Sequence, residues 1–285
     1  MASVEIGSDR ELKFERGTRM RASALAFHLA GSLRRLNIEG AVVLLVLVIG
    51  WQLASFYLPP ILFPSLSKIA AALRDIVSSP AALTAIGLTY LRIVAALAIA
   101  FAAATAVGIG AGLARPLERA ALPLIEVMQG IPAVCWIIFA ILWFRDMEPR
   151  IAFVVIVTTI PSFFYQARDG VRSISPELWD MVRSWRPSMS QLIRILSLPA
   201  LLPALLTGWR TNLGNGTRVT IMAELLGGVS GIGYQLRLSQ ELFRMDRAIA
   251  WTVVLVAFVV ATNLALTLFE KSTLKWRHDR RAAGA

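Results

Sequence analysis

Six stretches of the chain are apolar for about as long as a bilayer's hydrocarbon core is thick, and this limits the fold more than any other feature. They run over Ala41–Leu58, Ala81–Leu113, Leu122–Phe144, Ile151–Ala167, Leu198–Leu225 and Ala248–Phe269. Backbone groups in hydrocarbon must be satisfied within their own segment, so each run of roughly 17 to 25 residues reads as a helix. The predicted fold is therefore all-α, a polytopic membrane protein of about six transmembrane helices. The second and fifth runs are long enough to tilt or protrude, and the fourth is the shortest. Composition agrees: 56% of residues are hydrophobic and 16% charged, against roughly 45 to 50% and 25% in soluble domains.

The basic residues give an orientation, because Lys and Arg flanking spans are retained in the cytoplasm. With both termini inside, nineteen lie on the cytoplasmic side and seven on the other. Arg92, Arg210 and Arg218 remain within spans. The chain then divides into a tail (1–40), a transmembrane region (41–270) with a long cytoplasmic loop (168–197), and a basic C-terminal tail (271–285). Within the first tail, Leu25, Leu29, Leu33 and Leu36 recur at helical spacing beside Arg34 and Arg35, the pattern of an interfacial helix. No short basic region directly precedes an apolar core there, so no cleavable signal peptide is expected. The net charge of +11 lacks the aromatic-basic clustering of a nucleic-acid surface. Cys135 has no second cysteine to pair with, and His28 and His278 stand in opposite terminal segments, so no metal site is expected.

The loop is itself patterned. Ser175-Pro176-Glu177 is a helix start: a hydroxyl to cap free amides, a proline at the first position and an acid near the positive end of the dipole. Leu178, Met181, Val182 and Trp185 follow at helical spacing, with Glu177, Asp180, Arg183 and Arg186 polar, and Pro187 ends the segment. Such a helix either docks into a groove of a partner or lies on the bilayer.

From Glu177 to Pro199 the chain reads ELWDMVRSWRPSMSQLIRILSLP, which resembles the signature loop of binding-protein-dependent ABC importer permeases. Asp180, Met181 and Val182 take the places of that signature's acid and two small residues, Arg186 takes its glycine place, and Leu196, Leu198 and Pro199 complete it. LPPILFPSLSKIAAAL, QGIPAVCWIIFAILWF, LPALLPALLTGWR and AELLGGVSGIGYQL are similar to the nitrate, sulfonate and taurine branch of that family. The resemblance runs from Trp51 to Phe269. Two departures stand out: Val182 and Arg186 replace the family's usual Ala and Gly, and Arg145-Asp146-Met147-Glu148 replaces a glycine-containing turn.

The resemblance implies a permease subunit in the bacterial inner membrane. It implies a second permease chain, identical or related, two cytoplasmic ABC ATPases and an extracytoplasmic substrate-binding protein. ATP and Mg would be held by the ATPases and no cofactor by this chain, which has no G-x-x-x-x-G-K-[ST] loop to cradle phosphates. The residues implied to couple to the ATPase are Glu177, Leu178, Asp180, Met181, Val182, Arg183, Trp185 and Arg186. Import of a small anionic solute, nitrate, bicarbonate, sulfonate or taurine-like, is likewise what the resemblance implies.

Polar residues inside spans mark a pathway or hold helices together, since an ionisable group at mid-bilayer costs roughly 2.5 to 3.5 kcal/mol on insertion scales. Glu126 and Gln129 in the third run, and Asn212, Asn215 and Arg218 at three-residue spacing in the fifth, are the candidates for a translocation pathway; interhelical hydrogen bonding is the other role open to the last three. Arg218 is the candidate anion attractor, whereas Arg92 and Arg210 read as structural or snorkelling. Gly108, Gly110 and Gly112 in the second run, and Gly130-Ile131-Pro132 in the third, allow close backbone approach or a kink. An ion-gradient-driven transporter or channel would carry paired acids in mid-span, but such acids reduce here nearly to Glu126. A membrane-embedded enzyme would need a catalytic constellation, which two histidines in the tails do not provide.

Overall fold

The computed structural model describes residues 38–273. The interfacial helix expected near residues 21–36, both histidines and nearly all of the C-terminal tail lie outside the described residues. The chain forms two compact units, Met1–Ser65 and Leu66–Ala285.

The described part of the first unit is α1 (Ile38–Tyr57) and the turn after it. This helix is apolar on every face and its 18-residue window has no buried position, the pattern of a membrane span rather than of a one-sided surface helix. Pro59 and Pro60 end it. The following turn folds back, with the Trp51 indole donating to the Pro64 carbonyl at 3.1 Å and packing on Phe63 at 5.0 Å.

The second unit starts with α2 (Leu66–Ser78), whose Ile69, Ala72 and Ile76 are buried on one face; it packs against the last helix. Ser79 then caps α3 (Pro80–Leu113), its hydroxyl accepting from the Ala82 amide at 3.4 Å, with proline at the first position. Next come α4 (Arg115–Gly130), α5 (Ala133–Trp143) and α6 (Met147–Arg172). After α7 (Pro176–Ser184), the short α8 (Met189–Leu192) leads through a π-helical turn (Ile193–Ser197) into α9 (Leu198–Gly227). The π turn precedes Pro199, which has no N–H to give to a preceding carbonyl. Then α10 (Ile232–Glu241) and α11 (Met245–Thr273) complete the described chain.

The centre of this unit is the pair α3 and α6. A Cβ built on Gly108 would lie 2.7 Å from the Phe164 carbonyl oxygen, and one on Gly112 would lie 2.7 Å from Val171 Cβ. Ala96, Ala100, Ala104, Gly108 and Gly112 thus form a ridge at four-residue spacing over which Phe163, Phe164, Ala167 and Val171 pack. Gly110 has another role, facing Leu117 in the next helix.

Arg92 meets Glu148, and Gly112 meets Arg168, so α3 and α6 run parallel with a constant offset of 56 residues. Parallel neighbours need a connection that returns along their length. Residues 114–146 supply it, as α4 and α5 joined at a 96° bend. The third apolar run is therefore not the straight span the sequence suggests. Its first part belongs to an amphipathic helix carrying Glu118, Arg119 and Glu126, and the break falls at Gly130-Ile131-Pro132. Among the described residues five helices are long and apolar enough to cross a membrane, or six if the bent pair is one span. The fourth run grows from the shortest expected span to the 26 residues of α6, half of whose most apolar window is buried. Antiparallel to α6 lies α9, with Gly208 against Gln166 and Arg150 against Gly227.

Candidate functional site

Two sites stand at opposite ends of the second unit. One is the α7 end, where α3 and α6 finish and α9 starts. The other is the far end, where α6 starts and α9 finishes.

At the α7 end, Ser175 caps its helix as the sequence predicts, its hydroxyl accepting from the Leu178 amide at 3.4 Å. The apolar stripe does not act as one face. Val182 points inward, 7% exposed, into a cluster with Ile109 of α3, Ala167 and Val171 of α6, and Leu201 and Leu205 of α9. Trp179, not among the predicted residues, packs against the same cluster and carries the Arg183 guanidinium 5.3 Å from its ring centre. Leu178, Met181 and Trp185 remain exposed at 39%, 54% and 77%, as do Glu177, Asp180, Arg183 and Arg186. One helix is thus seated by Val182 and Trp179 on the ends of three long helices and leaves three large apolar side chains uncovered. Isolated exposed apolar residues are ordinary, but here two lie three residues apart on one nine-residue helix and the third, Trp185, is its C-cap.

Arg186 takes a left-handed backbone conformation, φ +49°. This is the place the signature gives to glycine, and a side chain there costs about 1 to 2 kcal/mol. At the same end of the unit, Glu118 at the start of α4 pairs with Arg168 at 3.6 Å and with Arg172, and Arg168 also lies over Tyr165 at 4.8 Å.

The candidate pathway residues do not converge on one another. The Asn212 amide is buried and donates to Ser162 Oγ of α6 and to the Gly208 carbonyl, both at 3.0 Å. Asn215 donates to the Thr158 carbonyl at 3.5 Å. Arg218 is exposed, with Nε 3.2 Å from the Gly214 carbonyl of its own helix, and Glu126 and Gln129 occupy the exposed face of α4.

The far end carries a cluster that the sequence analysis missed. Arg92, which reads from sequence as structural or snorkelling, points into the bundle. Its Nη1 lies 2.7 Å from Glu224 Oε1, while Nε and Nη2 grip the Glu148 carboxylate at 2.9 and 2.5 Å. It also donates to the Ser230 hydroxyl and carbonyl, at 2.8 and 3.2 Å. Glu224 is fully buried and accepts from the Thr89 hydroxyl at 2.9 Å and the Gly233 amide at 2.9 Å. The Ile232 amide in turn donates to Thr89 Oγ1 at 2.9 Å.

A buried ion pair is sustained only when its remaining donors and acceptors are also met, as they are here. The turn between α9 and α10 is shaped to this carboxylate: Gly231 has φ +99°, and a Cβ there would fall 2.2 Å from Glu224 Oε1. Arg150 and Arg237 cap the last carbonyls of α9, at Gly227 (2.9 Å) and Gly228 (3.1 Å). Acids within the apolar runs are therefore not confined to Glu126. The available signal was a pair of opposite charges: Arg92, the one charge in its run, and Glu224, the one acid in a run that also holds Arg210 and Arg218. Among the described residues no group of His, Cys, Asp and Glu is placed to hold a metal ion.

Residues 99–275 match the family of binding-protein-dependent transport system inner membrane components, a segment that includes α7 and the Glu224 turn. The chain is 26% identical over 170 residues to the putative aliphatic sulfonates transport permease protein SsuC of Bacillus subtilis, covering 59% of this chain and 61% of that one. It is 23% identical to the taurine transport system permease protein TauC of Escherichia coli over 86% of this chain and 92% of that one. With the bicarbonate transport system permease protein CmpB of Synechococcus elongatus it shares 27% over 58% of each chain. The alignment thus spans less than two thirds of two of these relatives. Among solved structures, the inward-facing MetNI methionine ABC transporter superposes with a TM-score of 0.61 at 16% identity, over 67% of this chain and 94% of that one, a likeness of fold. The match over residues 99–275, more than half of the chain, places it in the family of binding-protein-dependent transport system inner membrane components.

Proposed function

We propose that α7 is the seat of a separate cytoplasmic ATPase, and that the chain, paired with a second permease chain, moves a small anionic solute handed over by an extracytoplasmic binding protein. One observation carries the reading. Val182 and Trp179 fix α7 to the ends of α3, α6 and α9, while Leu178, Met181 and Trp185 project uncovered from it. A push or pull on those three side chains reaches three spans through a single apolar contact set, which is what a lever between a motor and a bundle requires. Import, ATP and Mg on the partner subunits, and cytoplasmic termini follow from the same reading.

The solute class is supported by the relatives named for aliphatic sulfonates, taurine and bicarbonate, which share an oxyanion. Exposed Arg218 on α9 is the residue of this chain suited to attract one, with Glu126, Gln129, Asn212 and Asn215 the other polar positions of the pathway. Cysteine at Met181 or Trp185, crosslinked in membranes, should capture a nucleotide-hydrolysing subunit; capture of lipid alone would remove the lever. Arg218→Gln should abolish uptake while assembly and basal ATP hydrolysis persist, and unchanged uptake would remove the anion role.

A further inference from the structure

We infer that a cleft at the far end, between α2, the start of α3, α10 and the start of α11, binds a small zwitterion, with its anionic end on Arg247 and its cationic end on Asp75. The cleft has a volume of about 140 Å³ and is lined by Asp75, Ser79, Gln235, Arg247 and Trp251 among others. A cavity of about 150 Å³ holds a molecule the size of benzene, and stays dry when its walls are apolar. Here four walls carry polar groups of both signs.

The two charges sit in one cleft without meeting each other. The Asp75 carboxylate forms no ion pair or hydrogen bond among the described residues. Arg247 Nε is buried and has no partner, although an unmade buried hydrogen bond costs about 1 to 3 kcal/mol, and more for a charged group. The acid next to it in sequence is committed elsewhere, since Asp246 pairs with Arg244 at 3.0 Å. A ligand with separated charges of opposite sign satisfies both groups at once.

Three further features fit such a ligand. The first turn of α3 lines the cleft through Ala81 and Ala82, and a helix N-terminus favours negative charge. The Ser79 oxygen already accepts from Ala82, which leaves its O–H to donate. Trp251, 3% exposed, forms an apolar wall against which a short carbon linker can lie. The apolar helices α3 and α11 both begin at the cleft, so it sits where hydrocarbon gives way to the polar layer. The matching chemistry is a small amine-bearing oxyanion, for which 2-aminoethyl phosphate serves as the probe, either free or as the headgroup of phosphatidylethanolamine.

The test needs no transport and no ATPase, so it stands apart from the proposed lever. Full-length protein in phosphatidylglycerol nanodiscs is titrated with 2-aminoethyl phosphate, and separately with ethanolamine and ethyl phosphate as half-ligands. Saturable binding of the zwitterion is expected, with each half-ligand weaker by about tenfold or more, as is the zwitterion itself in Arg247→Gln and Asp75→Asn. If the lipid is the natural occupant, phosphatidylethanolamine in the disc competes with the free compound, and mass spectrometry finds it retained by the wild type but not by the two variants. If the solute is, the lipid does not compete. Asp75 is exposed, so Asp75→Asn keeps the test decisive should Arg247→Gln fail to fold. Equal binding of the half-ligands, wild-type binding by Asp75→Asn, or no binding of the zwitterion in either form overturns the inference.

Discussion

The Glu224 turn and α7, at opposite ends of the second unit, are held by different kinds of force. At the far end, Glu224 is gripped by Arg92, Thr89 and the Gly233 amide, and three arginines from three helices tie down the last carbonyls of α9 and the turn that follows. Directional bonds from several elements fix the Glu224 carboxylate in one arrangement, while Arg150 Nε and Arg237 Nε at the same end make no hydrogen bond among the described residues. At the α7 end, one valine and one tryptophan rest on an apolar cluster, with no hydrogen bond found from α7 to another long helix among the described residues. Apolar contact is non-directional and tolerates sliding. The Glu224 turn is thus pinned by directional bonds, whereas α7 rests on apolar contact alone and carries the exposed apolar side chains.

The largest effect should come from breaking the pin. Arg92→Ala leaves the Glu224 charge buried and unpaired and should cost about 3 to 5 kcal/mol, read as a fall in melting temperature of the purified protein. Replacing both members, as Arg92→Met with Glu224→Gln, should recover part of that loss, because the unmatched charge is gone. Next is Gly231→Ala, which drives a methyl into the Glu224 carboxylate and strains a left-handed backbone; destabilisation of about 2 to 4 kcal/mol is expected, with the exchange protection of the Ile232 and Gly233 amides lost first.

At the α7 end the effects should be smaller and of another kind. Met181→Ala should leave stability within about 0.5 kcal/mol of wild type, as for an exposed position, while reducing ATP-dependent uptake in membranes. Loss of stability instead would mean that Met181 is packing, not docking. Smallest of all, Arg186→Gly should relieve the left-handed strain and stabilise the loop by up to about 1 kcal/mol, seen as slower amide exchange over residues 188–192.

The apolar runs made the long helices legible, since length and hydropathy suffice to predict a span and no tertiary knowledge is needed. The glycine ridge of α3 and the cap at Ser175 were legible for the same local reason. Short amphipathic helices were not: α2 (Leu66–Ser78) and α10 (Ile232–Glu241) bury one face against partners far along the chain and have no hydrocarbon-length signature. The bend at Gly130-Ile131-Pro132 was visible as a kink, but its 96° size depends on the amphipathic character of α4, which the run Leu122–Phe144 conceals. Glu224 was invisible because its partners stand 132 and 135 residues away, and a single sequence gives no sign that two isolated charges meet. The inward turn of Val182 and Trp179 depends likewise on the three helix ends that receive them.

Hydrogen–deuterium exchange on the assembled transporter, with and without bound nucleotide, tests the contrast between the two ends most directly. The account predicts that amides of α7 and residues 188–196 change protection with nucleotide while Ile232 and Gly233 stay protected throughout. Unchanged exchange across α7, or opening of the Glu224 turn in its place, would contradict it.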